Sequence, residues 1–292
     1  MPPAFTVRDL HPAFGSEVSG LDLDAGLNAS TVEALRALFD ERGLLAIRQA
    51  DLPLAVQREL AFGLIGMQAP DPDAMADRQK MPFYVSNKEP DGGAPFGRLL
   101  YHSDGMWLKE PFELLSLYAV EVAPPVAPTC FVSTVNAWNT LPEELRARVE
   151  GLHVEQGHDA TYARGGDDGE VLVATFEKEE TTITPIGHRH PRTGRTMLFA
   201  SQMMTKRVVE LDPAASEALL EELFAHLYAP ENTLEFTWRE GDLVLWDNLA
   251  LQHARPNVTV EGPARTLRKV FAPLPVITAE THRPKQRTRA AS

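Results

Sequence analysis

The sequence predicts a mainly β protein with peripheral helices, built around a jelly-roll or sandwich core. Much of the chain divides into short segments that are β-rich or alternate between apolar and polar residues. The 23 prolines concentrate in short connectors such as 123-APPVAP-128. Neither a βαβ rhythm nor a glycine-rich phosphate loop is visible. We therefore expect short strands joined by sharp turns, in a single domain over residues 1–292.

Seven segments have the composition of strands, because they are rich in β-branched and aromatic residues and are bounded by turn-forming residues. These segments are 44-LLAIR-48, 113-ELLSLYAVEV-122, 130-CFVST-134, 196-TMLFAS-201, 234-LEFTWRE-240, 242-DLVLWDN-248 and 265-RTLRKVFA-272. We expect them to form the sheets of the core.

Helices are expected at three places. In 30-STVEALRALFDERG-43, Ser30 and Glu33 form a capping box, apolar residues recur at helical spacing, and a glycine ends the segment. In 212-DPAASEALLEELFAHLYAP-230, an aspartate precedes a proline at the first turn, which is typical of a helix start. A shorter helix is expected at 142-PEELRARVEGL-152.

Two segments stand apart from this core. Residues 157–180 are polar and contain several glycines, so we expect an insertion over about 157–187. It is either an active-site lid or a surface excursion. Residues 283–292 form a short basic tail, which we expect to be a solvated chain end.

Composition limits the classes of partner. The chain has 292 residues and a net charge of −13, and its 28 lysines and arginines are scattered apart from the tail. Nucleic-acid binding needs a basic stripe to neutralise phosphates, so it is not expected. Cys130 is the only cysteine, which suits a reducing compartment. Neither a secretory signal nor a bilayer-spanning apolar run is visible, so we expect a cytoplasmic protein that does not enter membranes.

A histidine and an aspartate lie two residues apart in 99-LLYHSDGMW-107. On a strand, residues i and i+2 face the same way, so His102 and Asp104 would project together while Ser103 points away. An imidazole and a carboxylate are two of the three ligands of the 2-His-1-carboxylate triad that binds Fe(II). The pair alone is weak, because a solvated histidine and aspartate in a loop would have the same pattern.

The best candidate for a third ligand is His253, in the segment 240–272. One carboxylate and two neutral imidazoles leave Fe(II) with a net charge of +1, so the metal can accept a chelating dianion. A dicarboxylic acid that chelates through one end leaves a second carboxylate in the pocket, and an arginine is the usual partner of such a group. Arg265 lies twelve residues beyond His253, across an expected hairpin.

Together these motifs resemble the taurine dioxygenase/2,4-D dioxygenase (TauD/TfdA) family of Fe(II)- and 2-oxoglutarate-dependent oxygenases. The resemblance covers nearly the whole chain. Its motifs are 11-HPAFGSEVSGLDL-23, 43-GLLAIRQ-49, H-S-D-G-M-W from His102, 124-PPVAPTCFVSTVNAWNTLPEEL-145, 190-HPRTGR-195 and the W-D-N…Q-H-x(11)-R segment. Each motif alone is weak, but the combination is specific.

The resemblance implies a double-stranded β-helix (jelly-roll, cupin-like) core. It also implies an Fe(II) site formed by His102, Asp104 and His253, with 2-oxoglutarate and O₂ as co-substrates. Arg265 would bind the distal carboxylate of 2-oxoglutarate, and Thr129 matches a threonine that contacts the same group. The family often has G-G-D-T where this chain has Ala127-Pro128-Thr129, so the match at Thr129 is weaker.

Five residues are candidates for substrate contact. Related enzymes can bind an anionic substrate group through a second arginine, and Lys269 occupies that position here, so an anionic substrate is allowed but not required. Tyr101 and Trp107 flank the metal motif and either line the pocket or pack in the core. Asn87 is a substrate contact or an ordinary strand-end residue. Arg98 meets an anionic substrate or lies on the surface.

The implied function is hydroxylation or oxidative cleavage of a small organic molecule, with release of succinate and CO₂. The carboxylate ligand favours hydrogen abstraction over halogenation. Two alternatives remain open: a metal- or ligand-binding jelly-roll protein without turnover, and a zinc hydrolase that uses the same triad. Related enzymes are often dimers or tetramers, so a homo-oligomer is expected.

Overall fold

Eighteen strands lie in the part of the chain that the computed structural model describes. The described residues are 5–23, 26–49, 51–75, 83–157, 172–175, 181–274 and 285–288. The strands are β1 (Thr6–Asp9), β2 (Ser16–Ser19), β3 (Leu44–Arg48), β4 (Phe83–Ser86), β5 (Gly97–His102), β6 (Leu114–Val122), β7 (Thr129–Ser133), β8 (His153–Gly157), β9 (Leu172–Thr175), β10 (Thr181–Pro185), β11 (Gly187–Arg189), β12 (Thr196–Leu198), β13 (Thr205–Val208), β14 (Thr233–Phe236), β15 (Asp242–Asp247), β16 (Leu251–Val258), β17 (Arg265–Ala272) and β18 (Lys285–Thr288).

The helices are fewer and mostly peripheral. Over the same residues, the α-helices are Ala29–Arg42, Leu54–Leu64, Thr134–Asn139, Glu143–Val149 and Pro213–Leu227. None of the described helices is long and apolar enough to span a bilayer.

Two sheets form the core. The large sheet has seven strands in the order β1-β2-β3-β15-β6-β17-β4, and the small sheet has four in the order β14-β7-β16-β5. One buried cluster contains side chains of both sheets, including Leu117 and Trp246 of the large sheet and Phe131 and Leu251 of the small sheet. The two sheets therefore pack face to face, as in a jelly roll.

The outer faces of both sheets are also covered. The helices Ala29–Arg42 and Leu54–Leu64 pack on the large sheet, because Leu35 and Leu60 share a buried cluster with Leu245 of β15. The helix Pro213–Leu227 packs beyond the small sheet, in a cluster that includes Val132 of β7. Strands buried on both faces need apolar residues at consecutive positions, which explains why β15 reads as a continuous apolar run.

Most of the expected strands are present, but the first helix begins differently. Asn28, not Ser30, is the N-cap, and its side chain accepts a hydrogen bond from the Thr31 amide. Ser30 instead donates to the Asn28 side chain. Gly43 ends this helix in the left-handed conformation, with φ of 71°. The helix Leu54–Leu64 was not expected, because its N-cap is Pro53, whose side chain cannot accept a capping hydrogen bond.

The region expected to be an insertion is only partly described. Residues 181–185 form β10, which pairs with β8, so this end of the proposed 157–187 insertion belongs to a regular sheet. Residues 158–171 and 176–180 lie outside the described residues, and the lid therefore stays a prediction. The backbone of β18, within the basic tail 283–292, pairs with β9. The rest of the tail is outside the described residues.

Candidate active site

Two histidines face each other on neighbouring strands of the small sheet. His102 ends β5, and His253 is the third residue of β16. The register of the two strands pairs these residues directly, and their ring centroids are 4.2 Å apart. Both are buried, with 4% and 8% of their surface exposed. Strand pairing therefore brings together two residues that are distant in sequence.

Asp104 lies in a turn rather than on the strand. Strand β5 ends at His102, and the Met106 amide donates to the Ser103 carbonyl to close the turn. Gly105 takes a φ of 70° there, which favours glycine. The expected same-face arrangement on one strand is therefore wrong in its local geometry. The turn nevertheless directs the Asp104 carboxylate back towards the histidines.

The side chain of Asn248 holds this turn. Its Oδ1 accepts a hydrogen bond from the Asp104 amide at 2.9 Å, and its Nδ2 donates to the Asp104 carbonyl at 2.8 Å. The same Nδ2 also donates to the Phe112 carbonyl at 2.9 Å. Asn248 is completely buried. Three backbone groups are thus satisfied by one amide, which fixes the Asp104 backbone relative to the end of β15.

The donor atoms lie close enough together to bind one metal ion. The ligand atoms of His102, Asp104 and His253 all lie within 4.8 Å of one another. His102 Nε2 is 3.1 Å from Asp104 Oδ1, and His253 Nε2 is 3.9 Å from the same oxygen. Two imidazoles and a carboxylate match the facial triad of Fe(II) oxygenases.

The hydrogen bond of one donor histidine supports this fit. His102 Nδ1 donates to the Leu100 carbonyl at 2.7 Å, because a carbonyl can only accept. Metal-binding histidines usually donate their second ring nitrogen in this way. In His253, by contrast, the buried Nδ1 has no hydrogen-bond partner among the described residues.

The charges of His253 and Asp104 also suit a cation. Burial and then repulsion from His102 keep the pKa of His253 well below its ordinary value, so its ring is neutral. Burial would raise the pKa of Asp104, but Lys269 and the two imidazoles outweigh it and hold that pKa well below its ordinary value. The site thus offers a neutral imidazole and an ionised carboxylate at neutral pH.

Lys269 reaches the site from the opposite sheet. Its Nζ contacts Asp104 Oδ2 directly, and its side chain is only 11% exposed. Arg265 lies four residues earlier on the same strand, and Leu267 between them packs in the cluster between the sheets. Arg268 instead donates to Gln57 beyond the outer face. The face of β17 that carries Arg265 and Lys269 therefore points towards the small sheet, as strand alternation predicts.

Arg265 is a buried cation at the first position of β17. It donates to Thr129 Oγ1 at 3.1 Å and to the Ala127 carbonyl at 3.2 Å. Burial and then the charge of Arg255 lower the pKa of Arg265 to about 9, so it remains charged at neutral pH. Within the described ranges, it has no carboxylate partner. A buried guanidinium without a counter-charge is costly, and an anionic ligand would relieve this cost.

Asn87 supports the connection that leads into Arg265. This connection runs from β16 in the small sheet to β17 in the large sheet, so the hairpin expected between His253 and Arg265 is wrong. Its Oδ1 accepts from the Arg265 amide at 2.9 Å, and its Nδ2 donates to the carbonyls of Thr259 and Pro263. Asn87 therefore donates both of its side-chain amide protons to backbone carbonyls. Asn87 is therefore placed beside the expected co-substrate arginine, and its expected contact with substrate stays a prediction.

The remaining candidates lie around the metal motif. The Tyr101 ring stacks on Tyr228 at 4.5 Å and packs in the cluster beyond the small sheet, because neighbouring strand residues face opposite ways. The structure therefore does not bring Tyr101 together with His102. Trp107 packs against a methionine-rich cluster. Arg98 is partly buried in β5, and neither residue has a shown role with substrate.

Sequence reasoning missed several residues that support the site. Asp247 accepts from His190 and Arg192, and from the amides of Leu249 and Ala250. It thus fixes the turn between β15 and β16, next to Asn248. The motifs W-D-N and H-P-R-T-G-R were visible in the sequence, but their contact with each other was not. Arg255 was also missed; its guanidinium donates to the carbonyls of residues 94, 96 and 97.

Comparison with known proteins gives a consistent result. The family described as "Taurine catabolism dioxygenase TauD, TfdA family" matches residues 6–271. The chain is 30% identical to (S)-phenoxypropionate/alpha-ketoglutarate-dioxygenase of Sphingobium herbicidovorans over 276 residues, which cover 87% of this chain and 90% of the relative. It is 27% identical to pentalenolactone F synthase of Streptomyces avermitilis over 267 residues, covering 83% and 86%.

A solved structure agrees with these relatives. The crystal structure of a taurine dioxygenase from Burkholderia xenovorans superposes with a TM-score of 0.71 at 26% identity, covering 92% of this chain and 90% of that one. The mainly β, jelly-roll fold class expected from the sequence is confirmed.

Proposed function

The chain belongs to the taurine catabolism dioxygenase TauD, TfdA family, and we propose that it is a 2-oxoglutarate-dependent dioxygenase that uses Fe(II) and O₂ to oxidise a small organic molecule. Hydroxylation or oxidative cleavage of the substrate would release succinate and CO₂. Relatives whose names include α-ketoglutarate act on phenoxy acids and a sulfate ester, which supports a small substrate.

One observation carries this proposal. The space between the two sheets has a metal-donor set on the small sheet, and the large sheet presents Arg265, a buried cation with no carboxylate partner among the described residues. A zinc hydrolase or a silent metal-binding protein would need the donors but would have no use for this cation. A dianionic co-substrate that also binds metal needs both.

The residues suit distinct tasks in this reaction. His102, Asp104 and His253 would hold the metal, while Arg265 and Thr129 would bind the distal carboxylate of 2-oxoglutarate. When bound, Fe(II) and 2-oxoglutarate supply the activation of O₂ that oxidises a substrate C–H bond. The apolar cluster between the sheets would keep water away from that side of the site.

The proposal specifies the metal and 2-oxoglutarate ligands more closely than the residues that contact the substrate. Lys269 can offer its ammonium to an anionic substrate only by sharing it with Asp104, which it contacts in the structure. Trp107, Asn87 and Arg98 stay candidates for substrate contact, whereas the Tyr101 ring packs in the cluster beyond the small sheet. The relatives' phenoxy-acid and sulfate-ester substrates are anionic, which agrees with a cation at position 269.

The proposal extends to the setting of the enzyme. We propose one catalytic domain over residues 1–292 in a cytoplasmic homo-oligomer, a dimer or a tetramer. The single cysteine, Cys130, supports a reducing compartment. The oligomeric state is measured by light scattering of the full chain.

The first experiment uses anaerobic, metal-free protein to which Fe(II) and 2-oxoglutarate are added. We expect the weak visible charge-transfer band of the iron–keto-acid chelate, lost or weakened in His102→Ala, His253→Ala and Arg265→Ala. His153→Ala is the matched control, because His153 is partly exposed and its ring contacts Glu210 rather than the donor set. It should keep the band.

The outcome separates the alternatives. A band that depends on all three residues, followed by succinate release with a screened substrate, supports the oxygenase. Metal binding without a band would refute it and favour a zinc hydrolase or a binding protein without turnover.

A further inference from the structure

The Thr129 hydroxyl receives two hydrogen bonds in the structure. Trp238 Nε1 donates to Thr129 Oγ1 at 3.0 Å, and Arg265 Nη2 donates to the same oxygen at 3.1 Å. A threonine hydroxyl has two lone pairs and one proton. With both lone pairs used, the hydroxyl can act only as a donor in any further hydrogen bond.

The Thr129 proton has no acceptor of its own among the described residues. Thr129 is 2% exposed, and among the residues that the structure describes it makes no hydrogen bond as a donor. A buried donor of this kind costs free energy until an acceptor arrives. Thr129 and the uncompensated charge of Arg265 thus present only donors to a ligand, and a carboxylate is the group that would accept from both.

We propose that Trp238 is a positioning residue for the co-substrate: its indole N–H fixes the Thr129 hydroxyl as a donor to the distal carboxylate of 2-oxoglutarate. This inference rests on the proposed function. Trp238 does not need to touch the ligand. It acts through Thr129 by removing the alternative hydroxyl orientation, in which the proton would point towards position 238 and a lone pair towards the ligand.

The packing around Trp238 makes it suitable for this task. Thr129 pairs with Phe236 across β7 and β14, and Trp238 follows two residues later. The Trp238 ring packs edge-on against Phe236, with centroids 5.0 Å apart and an angle of 75° between the rings. Only 2% of Trp238 is exposed. The indole N–H is therefore held towards Thr129 before any ligand binds.

The chain contains a matched control for the loss of a buried indole N–H. Trp246 is completely buried between the same two sheets, but its Nε1 has no hydrogen-bond partner in the part of the chain that the structure describes. Replacement of either tryptophan with phenylalanine keeps an aromatic ring in the cluster. Only Trp238→Phe removes a hydrogen bond to Thr129.

The test is an anaerobic titration of Fe(II)-loaded protein with 2-oxoglutarate, followed by the charge-transfer band. Because one neutral hydrogen bond is lost, we expect Trp238→Phe to raise the Kd of 2-oxoglutarate about three- to tenfold. Trp246→Phe should leave this Kd unchanged, and the Fe(II) affinity of Trp238→Phe should equal that of wild type. Each titration is made with Fe(II) at saturation, because the Trp246 ring centroid lies 5.0 Å from that of His253. The Kd of 2-oxobutyrate, which lacks the distal carboxylate, should not change in Trp238→Phe.

A second set of variants tests the hydrogen bond between Trp238 and Thr129 without relying on Trp238→Phe alone. Thr129→Ser keeps the hydroxyl and should keep the affinity for 2-oxoglutarate, whereas Thr129→Val should lower it. Adding Trp238→Phe to Thr129→Val should cause no further loss, because the hydrogen bond is already absent.

Three results would overturn the inference: an unchanged Kd of 2-oxoglutarate in Trp238→Phe, an equal loss for 2-oxobutyrate, or additive effects of the two substitutions. If wild-type protein binds Fe(II) but not 2-oxoglutarate, the proposed function fails first. The wild-type titration therefore distinguishes failure of the function from failure of the role of Trp238.

Discussion

Replacing Asn248 with alanine removes the amide that holds the turn carrying Asp104. The variant loses the hydrogen bonds to the Asp104 amide, the Asp104 carbonyl and the Phe112 carbonyl. Each such bond contributes about 1 kcal/mol net, so we expect the free energy of unfolding to fall by about 3 kcal/mol. Because the carboxylate is no longer held in place, the Kd for the metal should rise about 10- to 100-fold.

The metal affinity is measured by anaerobic titration calorimetry with Fe(II), and with Mn(II) as a second ion. Stability is measured by urea unfolding of the metal-free protein. Both are needed, because a less stable protein can bind metal more weakly only through partial unfolding. The titration is therefore made at a temperature where both proteins are fully folded.

Asn232→Ala is the matched control. Asn232 is also buried, donates to the His226 carbonyl at 2.9 Å and accepts from Asn136 at 2.8 Å. Its loss should lower the free energy of unfolding by about 2 kcal/mol and leave the metal Kd unchanged. If Asn248→Ala behaves like this control, destabilised but with wild-type metal affinity, the assignment of Asn248 as the support of the ligand turn is refuted.

Three further predictions concern charge. Arg265→Gln removes charge-assisted bonds of about 1.5–3 kcal/mol each, so two such bonds predict a rise in the Kd of 2-oxoglutarate of about 10²- to 10⁴-fold; an unchanged Kd in the charge-transfer titration would contradict this. Lys269→Met removes the cation that competes for Asp104, so calorimetry should show metal binding tightened about tenfold, equivalent to about 1.4 kcal/mol; weaker binding would contradict it. Burial would raise the pKa of Asp247, but contact with His190 and a nearby arginine lowers it overall. Its contribution to stability is therefore present above the ordinary carboxyl pKa and lost as the pH falls through the lower, folded-state pKa. The free energy of unfolding is measured in urea from neutral pH into the acid range. It should fall less with acidification in Asp247→Asn than in wild type, and equal falls would contradict a stabilising role of the Asp247 carboxylate.

Local patterns were sufficient for much of the fold. The segment 265–272 was expected as a strand and is β17 with the same bounds. The helix that starts at Pro213 was recognised because Asp212 caps it and the proline needs no amide partner in the first turn. These features depend on neighbours within a few residues, so the sequence contains the information directly.

Local patterns failed where a distant contact decides the conformation. Asp104 was expected on the same strand as His102, but Asn248 satisfies its backbone amide and carbonyl and so replaces the strand hydrogen bonds. The cap of the first helix was assigned to Ser30, although Asn28 accepts the amide hydrogen bond. For Asp104, the residue that decides the conformation, Asn248, is far away in sequence. For the first helix, Asn28 and Ser30 are both polar residues that could have been the N-cap.

The sequence by itself determined the chemistry available to this protein: two imidazoles, a carboxylate and an arginine at recognisable spacings. Only the tertiary structure decided how these groups act together. Sheet pairing places His253 opposite His102, and sheet packing brings Arg265 of one sheet to Thr129 of the other. Residue type sets which atoms can donate or accept, but the direction of each hydrogen bond depends on partners from distant segments, as Trp238 shows at Thr129.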